Sequence, residues 1–286
     1  MNDRYAVLHQ YLLPKKALTA LAGRLAHWQG GRWTSLMVRN FVRRYGVDMS
    51  EALDPDIKSY PSFNAFFTRG LRPGARPVAP AEIVSPVDGA VSQLGRIDKD
   101  QIFQAKGRSY SATALLGGDP ELAAHFQDGL FATLYLSPRD YHRVHMPCDG
   151  RLRRMIHVPG ELFSVNPVTA RGVDRLFARN ERVVCVFDSE QGVFAMVLVG
   201  ATIVGSIATA WHGIVNTART GQLKEWTYHE QDVVLAKGEE MGRFLLGSTV
   251  VLLFPKNRCH LNPDWAPERV IRQGEAMASR YDALMR

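Results

Sequence analysis

Cysteine is scarce in this chain, and what there is cannot build a framework. Cys148, Cys185 and Cys259 are the only three, and they stand far apart. An odd, dispersed set gives no disulfide scaffold and no Cys-x-x-Cys metal site, and it suits a reducing compartment. The chain has no His-Glu-x-x-His motif for a catalytic zinc and no Gly-x-Ser-x-Gly elbow for a hydrolase serine. It has no zinc-finger, RNP or helix-turn-helix signature, so nucleic acid is not an expected partner. No secretory leader is read either: Asp3 and Arg4 precede only a short apolar stretch, which Pro14-Lys15-Lys16 interrupts. One run reaches transmembrane length, the nineteen uncharged residues from Val193 to Trp211. It is rich in Val, Ile and Thr and broken by Gly200 and Gly205, so it reads as two buried strands with a turn near Gly200.

Charge of either sign is nearly balanced over most of the chain. Residues 1–48 hold eight Lys/Arg against Asp3 and Asp48, a net of +6 within a total of +7. This basic arm is also amphipathic. Leu18, Leu21, Leu25 and Trp28 follow helical spacing, as do Met37, Phe41 and Tyr45, with Val38 and Val42 beside them. Trp28 and Trp33 flank a Gly30-Gly31 break, and tryptophan favours the membrane interface. Such a segment reads as helices lying on an anionic membrane, or else as a helical hairpin packed on the body with solvated arginines.

Residues 1 to about 70 read as helical, with Ser62 capping a helix that begins at Phe63. Pro73-Gly74-Ala75-Arg76-Pro77 then reads as an extended linker. From about residue 82 short strands separated by turn signals take over: 83–84, 90–94, 130–136, 183–187, 193–199, 202–208, 233–235 and 248–254. A helix is expected over about 112–126, and another over 268–284. The class is α+β: amphipathic N-terminal helices (1–70, a membrane-associating region), then a β-rich, sandwich-like body (71–286).

Three segments could carry chemistry. Phe244 to Phe254 is an apolar run interrupted only by Gly247-Ser248-Thr249. A hydroxyl buried in a strand must find a partner, and Gly247 gives the backbone freedom beside it. The plain reading is a bulge with its hydroxyls bonded locally. Ser85-Pro86-Val87-Asp88-Gly89 reads first as a hairpin turn. Asp140-Tyr141-His142-Arg143-Val144-His145-Met146-Pro147 carries two histidines three apart. They lack the further ligands a zinc site needs, so no metal is expected; a structural role or acid-base work remains. A carboxylate, a histidine and a serine activate a nucleophile wherever a fold brings them together.

Five motifs in order carry a resemblance to a known family. They are Phe63-Asn64-Ala65-Phe66-Phe67-Thr68-Arg69 running into Pro73–Pro77; Ser85–Gly89; Lys106-Gly107 with Tyr110-Ser111 and Leu115-Leu116-Gly117; Asp140–Pro147; and Leu246-Gly247-Ser248-Thr249. Together, over roughly residues 60–254, the chain resembles the bacterial, pyruvoyl-dependent phosphatidylserine decarboxylases.

The resemblance implies a self-cleaving proenzyme and a carboxy-lyase of phospholipid biosynthesis. His145, oriented by Asp88, would deprotonate Ser248. The serine oxygen would attack the Gly247 carbonyl, and β-elimination from the resulting ester would cut the chain between Gly247 and Ser248. The products would be a β chain, 1–247, and an α chain, 248–286, whose first residue has become a pyruvoyl cofactor. That group would form a Schiff base with phosphatidylserine and accept the electron pair left by carbon dioxide. His142 is the implied acid that reprotonates the carbon to give phosphatidylethanolamine. The enzyme would lie peripherally on the cytoplasmic face of the cell membrane, with its oligomeric state left open. Two other readings stay open on the residues alone: a lipid or ester hydrolase using Asp88, His145 and Ser248, and a non-catalytic peripheral membrane protein. Both keep the chain intact.

Overall fold

The computed structural model describes residues 7, 8, 10, 11, 13–202, 206–215, 221–228, 231–245 and 249–281. Leu246, Gly247 and Ser248 thus lie outside the described residues. Among those described are the α-helices α1 (Lys15–His27), α2 (Arg32–Tyr45), α3 (Phe63–Phe67), α4 (Ala112–Leu115), α5 (Pro120–Ala124), α6 (Pro167–Gly172) and α7 (Leu176–Arg179), with a short 3-10 turn over Ile57–Ser59. The strands are β1 (Ile83–Val84), β2 (Gly89–Arg96), β3 (Gln101–Ala105), β4 (Arg108–Ser111), β5 (Leu130–Tyr135), β6 (Arg143–His145), β7 (Gly150–Val158), β8 (Arg182–Ser189) and β9 (Gly192–Val199). They continue with β10 (Ile207–Thr209), β11 (Gly213–Ile214), β12 (Lys224–Thr227), β13 (Val234–Leu235), β14 (Glu240–Phe244), β15 (Thr249–Phe254), β16 (Cys259–Leu261), β17 (Val270–Ile271) and β18 (Ala276–Arg280). The protein is α+β.

The organising element is an antiparallel sheet in the order β12-β7-β8-β9-β15-β5-β2-β17, with β13 also on β7. Its central strands are apolar without alternation because both faces are covered. In β15, Val250, Leu252 and Phe254 enter one core and Val251 and Leu253 the other. Period-2 geometry sends successive side chains to opposite faces, so a strand buried on both sides needs apolar residues throughout. The first core lies between this sheet and two smaller ones, β11-β10-β14-β6 and β1-β18-β16. The second lies under the β3–β4 hairpin and helices α4–α7. The body is sandwich-like on one side and helix-covered on the other.

The N-terminal helices build a third, smaller core from Val38, Val47, Phe66 and Phe67. Helix α2 stops where Gly46 takes the left-handed conformation at φ 65°. Ser62 caps α3 as expected, its Oγ accepting from the Ala65 N–H at 3.1 Å.

Four local expectations are corrected. Of the segment 268–284 expected to be helical, the described residues 268–281 form strands instead: β17 pairs with β2, and β18 lies between β1 and β16. Sheet pairing overrides its helix propensity, and Gly274 at φ 87° sits against the Pro77 carbonyl where a side chain would collide. The helix over 112–126 is two short ones separated by Gly117-Gly118, both at positive φ. Asp88-Gly89 is no hairpin turn, since β1 and β2 belong to different sheets. Strand β7 escaped notice because Arg151, Arg153 and Arg154 hide its apolar side.

Candidate active site

The connection between β14 and β15 passes from the four-stranded sheet to the nine-stranded one. Its described ends are well held. The Phe244 N–H donates to the His142 carbonyl at 3.1 Å and the Leu245 N–H to the Ser206 carbonyl at 3.1 Å. On the far side Thr249 sits opposite Tyr135 of β5 and Val199 of β9. The described residues flanking the predicted cleavage position are thus held by the His142 and Ser206 carbonyls on one side and by the central strand pairing of Thr249 on the other.

His145, on β6, has both ring nitrogens engaged. Nδ1 lies 2.8 Å from the Gly238 carbonyl and Nε2 3.1 Å from the Tyr141 hydroxyl. A carbonyl only accepts, so Nδ1 carries the proton and Nε2 is the basic nitrogen, receiving the Tyr141 O–H. Burial pushes the Tyr141 phenol up to about 12, which keeps that donor protonated. Burial also lowers the His145 pKa, against the Gly238 bond and the nearby carboxylates of Glu240 and Asp88, which favour the charged ring. The result favours a neutral imidazole whose Nε2 lone pair, now receiving the Tyr141 O–H, could accept a proton.

His142 is fully buried, and its ring lies 4.0 Å from the Phe67 ring, centroid to centroid. Its Nδ1 donates to the Asp140 carbonyl at 2.8 Å, so Nε2 is again the acceptor. Nε2 has no partner among the described residues; nor does the buried Oγ1 of Thr249. Burial pushes the His142 ring down to about 3. A proton accepted at Nε2 would be passed on rather than kept, because the charged ring is disfavoured.

That depression has a stability consequence. A histidine whose folded pKa lies below its unfolded value near 6.5 supports the fold fully above 6.5, and that support is lost as pH falls towards 3. The maximum slope is about 1.4 kcal/mol per pH unit. Between pH 7.5 and 5, urea unfolding of His142→Gln should show a stability loss about 2 kcal/mol smaller than that of the parent. Equal losses would mean that the ring titrates normally.

Asp88 does not contact His145. Its carboxylate takes a forked bond from Arg76, Nε to Oδ1 at 2.9 Å and Nη2 to Oδ2 at 2.5 Å, and the Gln273 N–H at 2.8 Å. Arg76 also reaches Glu51 at 2.8 Å, and Arg272 holds the other Glu51 oxygen at 3.1 Å. Burial opposes the charge on Arg76, but the bonds to Asp88 and Glu51 outweigh it and its pKa is raised. Gly89 follows at φ 153°, where a Cβ would strike the Tyr135 carbonyl. Glycine is required there for β2 to meet β5 beside Asp88.

The expected Asp88–His145 contact is thus replaced by two separate supports. Gly238 sets the histidine tautomer, and Arg76 holds the aspartate. Sequence reasoning missed both, along with Tyr141 and Glu51. Tyr141 stood inside the two-histidine motif, and Arg76 stood in a stretch read as a linker. A backbone carbonyl such as Gly238 leaves no trace in sequence.

Known proteins resemble this chain over most of its length. Residues 63–279 match the family model described as Phosphatidylserine decarboxylase, and residues 5–46 match a model described as PSD. A phosphatidylserine decarboxylase proenzyme of Dechloromonas aromatica (strain RCB) is 67% identical over 279 residues, covering 98% of this chain and 99% of the relative. That of Azoarcus sp. (strain BH72) is 67% identical over 281 residues, 98% of each. That of Acidovorax ebreus (strain TPSY) is 68% identical over 280 residues, 98% and 99% respectively. The chain belongs to the phosphatidylserine decarboxylase family. It is a decarboxylase, and phosphatidylserine is the substrate its family name gives.

Proposed function

We propose that this chain is a proenzyme that cuts itself between Gly247 and Ser248 and then decarboxylates phosphatidylserine through the pyruvoyl group so formed. The observation that carries the reading is Thr249 Oγ1, buried and unpartnered among the described residues one position after the proposed cleavage, together with His142 Nε2, likewise unpartnered, on a residue whose carbonyl receives the Phe244 N–H. Buried polar atoms are rarely left unpaired without a functional reason.

In the first stage His145 Nε2 exchanges the Tyr141 hydroxyl for that of Ser248 and takes its proton. The serine oxygen attacks the Gly247 carbonyl carbon and displaces the amide nitrogen, leaving an ester. Loss of a proton from the Ser248 α-carbon expels the Gly247 carboxylate, and the dehydroalanine at 248 hydrolyses to a pyruvoyl group and ammonia. Asp88 and Glu240 favour the charged His145 ring during this step.

For the second stage the pyruvoyl group, once formed at position 248, would supply the electron sink for the pair released with carbon dioxide. His142 Nε2 accepts a proton and returns it to the substrate carbon. Its Nδ1 bond to Asp140 fixes the ring plane for that transfer. The Phe67 face and the surrounding burial exclude water, and a site of low polarity disfavours the carboxylate charge that the reaction removes.

The cut chains would stay together. All six residues of β15 are buried between β5 and β9, and β17 and β18 pair with β2 and β1. Intact-mass spectrometry of the denatured protein tests the proposal. The expected result is a 39-residue fragment, one ammonia lighter than its serine form and reactive with a carbonyl reagent. A single 286-residue chain in an active preparation would overturn it.

The proposed setting is the surface of an anionic membrane. Leu21, Leu25, Trp28, Trp33, Leu36 and Met37 are all exposed on α1, α2 and their connection, among the basic residues of the arm. No helix among the described residues is long and apolar enough to cross a membrane. Vesicle sedimentation of Trp28→Ser/Trp33→Ser should show binding weakened by on the order of tenfold or more. Unchanged binding would remove these helices from the contact.

A further inference from the structure

A cavity lies beside the head of β15. It encloses about 420 Å³, and Tyr135, the register partner of Thr249, forms part of its wall. Three cationic side chains border it from three separate elements. Lys106 stands at the tip of the β3–β4 hairpin, Arg139 in the turn before the two-histidine motif, and Arg171 on α6. Val165 and Pro167 add an apolar flank.

We propose that this cavity is the headgroup site, in which Lys106, Arg139 and Arg171 hold the phosphodiester of the lipid substrate while its acyl chains remain outside. The inference rests on the decarboxylase reading and assigns residues to its substrate.

Chemistry separates the phosphate from the other anion of the substrate. The carboxylate loses its charge in the reaction, so a cation bound to it would stabilise the ground state more than the transition state. The phosphodiester sits three bonds from the reacting carbon and keeps its charge throughout. Cations placed on it bind ground and transition states alike, which lowers KM without slowing the chemical step. The cavity size suits a headgroup and is too small for two acyl chains besides. Two acids, Asp140 and Glu268, also border it. Asp140 turns one oxygen to the Ser137 N–H at 2.6 Å and the other to the Arg139 guanidinium at 3.8 Å.

Lys106 is an informative residue to change. It adopts φ 47°, followed by Gly107 at 73°, a left-handed pair that closes the hairpin. Asparagine accepts that conformation more readily than lysine, so Lys106→Asn removes the charge without harming the turn.

The test uses self-cleaved full-length protein with phosphatidylserine in neutral-detergent mixed micelles, where surface attraction to an anionic membrane does not contribute. Lys106→Asn and Arg171→Gln should each cleave normally by mass, keep kcat within about twofold and raise KM on the order of tenfold. The inhibition constant for glycerophosphoserine should rise in parallel, and inorganic phosphate at the same concentration should not compete. Lys256→Gln, which removes a cation from the other end of β15, serves as the control. Normal KM and normal inhibition in both cleaved variants would overturn the assignment. Equal competition by inorganic phosphate would overturn it as well, reducing the cavity to a general anion site. A wild-type protein that neither cleaves nor decarboxylates would overturn the parent reading, and this one with it.

Discussion

Replacing Ser248 with alanine is expected to leave one uncut chain with no detectable decarboxylation. The alanine methyl has no oxygen to attack Gly247, so no ester forms and no carbonyl is generated. Without that carbonyl the electron pair released with carbon dioxide has nowhere to go, and the loss is total rather than graded. His145→Ala should also stay largely uncut although Ser248 is present, because the general base is gone. Mass spectrometry and a lipid decarboxylation assay read both variants. The hydrolase alternative differs at the first measurement, since it requires an intact wild-type chain. An active Ser248→Ala protein would sink the mechanism.

Arg76→Met is expected to be the most damaging single change in the ion-pair network. It leaves the Asp88 carboxylate without its forked partner in a site where both side chains are less than one-tenth exposed. Removing one member of a buried pair typically costs about 3–5 kcal/mol, because the other charge stays buried and uncompensated. Urea unfolding in the Ser248→Ala background, where the chain is single, would measure it. Adding Asp88→Asn should recover part of the loss, since the stranded charge is then gone. Glu51→Gln alone should matter much less: Glu51 is the more exposed partner, and Asp88 would retain Arg76. Its carboxyl is held below the ordinary 4.5 by the Arg76 bond. Its contribution is therefore present above that value and fades as pH falls through the folded pKa. A loss under 1 kcal/mol for Arg76→Met would mean that Asp88 finds another partner. A normal self-cleavage rate in that variant would mean that the placement of Asp88 does not matter for the first stage.

Much of this architecture was legible beforehand. The unbroken apolar run of β15 declared a strand buried on both faces, and the two-histidine motif and the Gly-Ser-Thr interruption are the residues on which the proposed chemistry rests. These signals are local: a few neighbouring residues carry them, and period and composition are enough to read them. The basic, tryptophan-bearing arm was equally plain, and the structure leaves Leu21, Leu25, Trp28, Trp33, Leu36 and Met37 exposed while Val38 is buried in the third core. What failed was of another kind. The 268–280 segment looked helical because propensity is a property of the segment, whereas its strands exist only through β1, β2 and β16. Asp88 was assigned to His145 because acid and base are the usual companions, yet Arg76 occupies it after a turn that no pattern announced.

The sequence by itself determined the family and the class, and it supplied the proposed cleavage motif and the two proposed histidines, since each depends on residue identity and near-neighbour spacing. Only the tertiary structure decided which nitrogen of each histidine is basic. Those choices rest on the carbonyls of Gly238 and Asp140, and the first lies 93 residues from its histidine. Every residue carries a carbonyl, so its identity says nothing; only the folded path of the chain can aim one at an imidazole.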